Sequence, residues 1–183
     1  MQTDIVIALD AFSGVSKVNH AWQKVFTKSL VANFDSSSVR ISVNPMSRDH
    51  GALEYPFGAS ETQSQICSRV DTLNSGALKY RGYHFYEGFY PEAAERWFSD
   101  SLGRNKAIVV VKHLPENEPE TAIDKTQIYW EGSPDEPVVF VVAIGTSNYM
   151  TKSIEKLFKL AGHPDRVFFM EEWEITNAQY IAT

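Results

Sequence analysis

Cysteine is almost missing from this chain of 183 residues: Cys67 stands alone, so no intrachain disulfide can form and the core must hold the fold by itself. No apolar stretch approaches the roughly 18 residues that a membrane span requires. Met1-Gln2-Thr3-Asp4 lacks the basic-then-apolar pattern of a signal peptide, and no Asn-x-Ser/Thr glycosylation acceptor occurs. Positive charge is in short supply. With 17 Lys and Arg against 23 Asp and Glu, the net charge is −6. That balance argues against a nucleic-acid backbone or an anionic membrane surface as the main partner. Catalytic signatures are absent too: there is no Gly-x-Ser-x-Gly elbow, no glycine-rich phosphate loop and no ligand pair at metal spacing.

What is present is an ordinary globular composition, 43% hydrophobic and 22% charged, at a length that fits one domain. Residues 1–183 therefore read as a single domain, expected to be part of a longer multi-domain protein.

Short, nearly continuous apolar runs at 4–9, 107–111 and 138–144, with a weaker one at 167–170, read as strands buried on both faces. The alternation Val39, Ile41, Val43 against Arg40, Ser42 reads as a half-exposed strand near a sheet edge, ended by Pro45, with a partner strand at 52–57. Helical patterns lie between. After a candidate N-cap at Ser16, the residues Val18, Ala21, Trp22, Val25, Phe26 and Leu30 recur at three- and four-residue spacing. Residues 91–102 begin with Pro91 and place Ala94, Trp97 and Phe98 on one face. Residues 151–161 run to a stop at Gly162 and Pro164, and a weaker helix covers 60–73. The stretch 114–137 reads as a long surface loop.

Strands alternating with helices imply a three-layer, doubly wound α/β domain. Ligands of such sheets bind beyond the carboxyl ends of the strands. The segments placed there are Asp10–Ser16, His113–Glu116 and Gly145–Met150, together with the loop before residue 91. That loop includes Tyr80–Tyr90, with six Tyr or Phe in eleven positions. Rigid aromatic rings are frequent binding anchors. Tyr83, His84, Tyr86 and Tyr90 are the surface candidates, and Phe85 and Phe89 the core candidates.

In its order of segments the chain resembles the von Willebrand factor A (vWA, integrin I-like) family. Asp4-Ile-Val-Ile-Ala-Leu-Asp10 resembles the family's first strand with its terminal aspartate, and Trp22, Lys24 and Phe26 fall at the spacing of its first helix. Val39–Val43 resembles the second strand, Lys106–Val111 the central one, and Phe140–Gly145 the strand that ends in Ile-Gly. The resemblance implies a Rossmann-like, mostly parallel sheet of about six strands with one antiparallel edge strand and helices on both faces. It also implies a metal-ion-dependent adhesion site built from an Asp-x-Ser-x-Ser loop, a threonine and a later aspartate. Here that pattern is degenerate. Asp10 is present, but Phe12 and Gly14 take the serine positions, His113 takes the later aspartate's, and the threonine position falls near Tyr86. No Mg²⁺ bound in the family's manner is expected, because Mg²⁺ demands near-ideal octahedral oxygen geometry. A different metal would have to use Asp10, His84 and His113, which at best suits Zn²⁺ or Cu²⁺.

The function expected is a non-catalytic, adhesion- or matrix-type module, extracellular within a larger protein. It would bind a protein or a glycan through Asp10, Phe12, Ser13, Tyr83, His84, Tyr86, Tyr90 and His113, with no cofactor. Two alternatives stand beside it. One is a purely structural spacer domain. The other is a phosphatase-like hydrolase using Asp10, for which the second aspartate is missing because Phe12 stands there.

Overall fold

An early strand that is apolar almost without a break is stable only where both of its faces are covered. Residues Thr3–Asp10 (β1) meet that requirement at the inside of a five-stranded sheet. The computed structural model describes residues 2–10, 17–46, 57, 62–73, 97–114, 136–145 and 147–171. In chain order β1 is followed by α1 (Lys17–Asn33), β2 (Val39–Met46), α2 (Gln63–Thr72), β3 (Asn105–His113), β4 (Val138–Ile144), α3 (Ser147–Ala161) and β5 (Val167–Met170). The strand order is β2-β1-β3-β4-β5, and every neighbouring pair is parallel. This is the doubly wound α/β arrangement expected. Among the described residues, however, the sheet has five parallel strands, not about six with an antiparallel edge. The segment 52–57 expected to supply another strand lies outside the described residues except for Phe57.

Alternation along each strand sends successive side chains to opposite faces. On one face Val6 and Ala8 of β1, Ile108 and Val110 of β3, and Val141 and Ala143 of β4 pack with Trp97, Leu114 and the α3 residues Leu157, Leu160 and Ala161. On the other, Ile5, Ile7 and Leu9 join Val109 and Val111 beneath Phe26, Leu30 and Val31 of α1 and Ile66 and Val70 of α2. A threonine capping box, Thr62 with Gln65, starts α2, and Lys24 and Lys28 of α1 tie to Asp71 near its end. Gly162 closes α3 at φ +71°, the left-handed conformation that glycine adopts without strain.

Three local expectations change. Strand β2 is an edge strand among those described but is not half-exposed: Ser42 and Asn44 are as buried as Ile41 and Val43, and the strand runs through Pro45 to Met46. The buried face of α1 is rotated from the purely apolar stripe. It comprises His20, Gln23, Phe26, Thr27, Leu30 and Val31, while Val18 is 64% exposed. Of its polar members, Gln23 reaches the end of β1, where it binds the Asp10 main chain. The helix expected over 91–102 has its last helical residue at Trp97. Beyond it, Ser101 Oγ and the Asp100 carbonyl are engaged by Asp4 and Arg40, an alternative to continuing the helix.

Those contacts belong to a buried ionic knot at the amino ends of β1, β2 and β3. Asp4, fully buried, accepts from Arg40 Nε and Nη2 at 2.8 and 2.5 Å, from Arg104 Nε at 2.5 Å and from Ser101 Oγ at 2.5 Å. Arg104 also reaches Gln2 Oε1 at 2.6 Å and the Thr3 carbonyl at 3.2 Å, while the Arg40 guanidinium lies over the Phe57 ring. Burial alone would raise the Asp4 carboxyl. The hydrogen bonds from Arg40, Ser101 and Arg104 and the Arg40 charge outweigh it and hold the group below its ordinary value.

Candidate functional site

The crown of the sheet, at the carboxyl ends of the strands, is where the sequence directs attention. Asp10 is the last residue of β1 and is 4% exposed. Its main chain is gripped on both sides by one side chain of α1. Gln23 Oε1 accepts from the Asp10 N–H at 2.8 Å, and Gln23 Nε2 donates to the Asp10 carbonyl at 3.0 Å. Its carboxylate meets Lys112, whose Nζ lies 3.3 Å from Oδ2, with side-chain exposures of 6% for lysine and 5% for aspartate.

The register explains this pairing. Leu9 faces Val111 across the β1–β3 ladder, so the next step brings Asp10 opposite Lys112 on one face of the sheet. His113 follows at once and therefore points to the opposite face. There Asn19 of α1 sets its amide nitrogen 3.1 Å from His113 Nδ1, which accepts. Asp10 and His113, the two candidate residues that the description covers, are thus both at the crown but on opposite faces. That separation works against their joint use as ligands of one ion. Phe12, Ser13, Tyr83, His84, Tyr86 and Tyr90 lie outside the described residues, as do Phe85 and Phe89. Among the described residues no group of three His, Cys, Asp or Glu side chains is placed to hold a metal ion.

Beneath the crown, His20 is 2% exposed and, among the described residues, neither ring nitrogen has a hydrogen bond of good geometry; Thr27 Oγ1 is likewise buried without one. Burial pushes the His20 imidazole below its ordinary value and the Lys24 charge adds to this. The Leu73 main chain and Asp10 pull the other way without reversing it. At the far end of the sheet a shallow cleft of about 350 Å³ is lined, among the described residues, by Thr3, Arg104, Lys106, Glu136, Val138 and Phe140 among others.

Sequence reasoning missed Lys112 and Gln23. A lysine ending an apolar run and a glutamine inside a helix look like solvated residues. Their partner Asp10 is 102 and 13 positions away, and only the Lys112 position, one residue before the family's expected ligand, carried a hint.

A parallel doubly wound sheet with Asp10, Lys112 and His113 at the carboxyl ends of β1 and β3 places the chain in the class of doubly wound α/β domains. The chain belongs to the von Willebrand factor type A domain family, whose model matches residues 4–181. Domains of this family generally mediate protein–protein interaction. Among solved structures, proximal thread matrix protein 1 from the mussel byssus is similar at 15% identity and a TM-score of 0.65, over 99% of this chain and 45% of that one. This chain therefore spans under half the length of the mussel protein. The vWF domain of the type V pili tip protein Mfa5 from Porphyromonas gingivalis is similar at 12% identity and a TM-score of 0.66, over 99% of this chain and 94% of that one. At these identities the likeness establishes the fold alone. No curated protein sequence matches the chain.

Proposed function

We propose that this chain is a non-catalytic interaction module that engages a protein partner at the carboxyl-terminal end of its sheet without a divalent cation. The observation that carries the reading is the buried contact of Lys112 with Asp10. The carboxylate that the family resemblance marks as a metal ligand is already in contact with an ammonium group. Family membership supports the interaction role. The net charge of −6 favours a protein or glycan over nucleic acid or an anionic membrane. Among the described residues no helix is long and apolar enough to cross a membrane.

In this reading Asp10 shapes the crown from within, while contact with the partner falls to Phe12, Ser13, Tyr83, His84, Tyr86, Tyr90 and His113. A place in a larger extracellular protein agrees with the matrix and pilus-tip proteins that share the fold. The test is capture of immobilised matrix proteins, such as collagens and fibronectin, by the purified chain with and without EDTA. Binding should be indifferent to the chelator and weakened by Tyr83→Ala or Tyr86→Ala. Capture that chelation abolishes, or no capture at all, refutes the proposal.

A further inference from the structure

We infer that the Lys112 ammonium is a tethered replacement for the divalent ion of this fold, a counter-charge built into β3 that holds the ends of β1 and β3 together. The inference deepens the metal-independent reading above and rests on it. Three observations carry it. First, the β1–β3 ladder runs to Leu9 opposite Val111, so the next residues, Asp10 and Lys112, leave neighbouring strand ends on one face, where their side chains meet at 3.3 Å. Second, both side chains are more than nine-tenths withdrawn from water. A carboxylate so placed needs an opposite charge or a proton, and the ammonium supplies the charge. Gln23, a neutral amide, binds the Asp10 main chain and supplies no counter-charge.

Third, the space itself is claimed. Mg²⁺ sits about 2.1 Å from its oxygens and needs about six of them in octahedral array. An ion on Asp10 Oδ2 would have to share that neighbourhood with an ammonium 3.3 Å from the same oxygen, at a Coulombic cost that a partly dehydrated site magnifies. The residues present do not fit the family's ion, and the misfit has a specific agent: a lysine one position before the place where the resemblance puts the second metal-binding carboxylate.

The experiment is a double-mutant cycle on the purified chain, Asp10→Asn, Lys112→Met and both together, read by urea unfolding. It is paired with Mn²⁺ titration of the wild type followed by electron paramagnetic resonance. Each single substitution removes one member of the buried charge pair and should lower the folding equilibrium constant on the order of a hundredfold or more. The double variant removes both charges together and should recover most of that loss. The wild type should take up no stoichiometric Mn²⁺, and its melting temperature should be the same in EDTA, Mg²⁺ or Mn²⁺. Additive single effects overturn the inference, as does Mn²⁺ binding to the wild type that vanishes in Asp10→Asn. Should a single variant fail to fold, the wild-type titration decides alone. Uncoupled substitutions alongside chelator-indifferent partner capture defeat only this inference. A strong coupling alongside chelator-sensitive capture defeats only the function proposed above.

Discussion

Replacing Asp4 with asparagine isolates what the knot at the amino ends of the strands contributes. The side chain keeps its shape and loses its charge, while two guanidiniums remain: Arg104, with its side chain 14% exposed, and Arg40, 33% exposed. Hydrogen bonds to a charged group contribute about 1.5–3 kcal/mol each. Removing one partner of a buried ion pair costs about 3–5 kcal/mol, because the other charge is left uncompensated. Arg40 recovers hydration more easily than Arg104, so the lower part of that range applies, about 3 kcal/mol. For a chain of this size each kcal/mol lowers the melting temperature by about 2–4 °C, which gives a loss of about 6–12 °C. Urea unfolding at neutral pH measures the difference directly. Acid supplies a second arm. The Asp4 carboxyl in the fold lies below its ordinary value of 3.8. Its contribution is therefore complete above that value and disappears as pH falls through the folded pKa. The gap between wild type and Asp4→Asn should narrow as pH falls below about 3.8. A variant within 1 kcal/mol of wild type at about pH 7, or a gap that acid leaves unchanged, refutes this account of the knot.

Two further outcomes follow from the packing. Gly145→Ala would set a new Cβ 2.8 Å from Leu114 Cβ, backbone-proximal and unable to swing away. It should cost about 1–3 kcal/mol by overpacking, measurable by thermal unfolding and reduced in a Leu114→Gly background, which removes the Cβ it meets. His20 is buried with its imidazole held below its ordinary value, so its neutral form belongs to the fold. Stability should be complete above the unfolded value of 6.5 and fall as pH drops below it toward the folded pKa. His20→Leu, which removes the buried imidazole, should flatten that slope in melting curves taken as pH falls below about 6.5, and an unaltered slope would count against it.

Much of the scaffold was legible because its physics is local. The apolar runs of β1, β3, β4 and β5 read as covered strands, and their places in the structure agree to within two residues, with β4 at Val138–Ile144 as expected. The stop at Gly162 was equally local, since it needs only a left-handed residue. Strand β2 misled for a physical reason. Ser42 and Asn44 alternate with apolar residues as exposed polar side chains do, yet both are buried. In α1 the apolar spacing found Trp22, Phe26 and Leu30, but Val18 and Val25 are exposed while His20, Gln23 and Thr27 are turned inward where periodicity places solvent. The candidate site was legible only in its location. That Asp10 ends the first strand could be read directly. That it answers to Lys112 could not, since a pairing across 102 positions leaves no local trace.

The position of β1 sets a demand on the chain as it is made. Synthesised before β3, it lies inside the sheet, and its flank toward β3 is closed only by residues 105–113. At ribosomal rates of about 5–20 residues per second, the hundred or so intervening positions take on the order of 5–20 s. Throughout that interval the nascent polypeptide carries an apolar ribbon with one row of amides and carbonyls unmet, the kind of edge that recruits other chains. The architecture that later makes the domain rigid thus concentrates its aggregation hazard in translation, where a ribosome-associated holdase would offer the most protection.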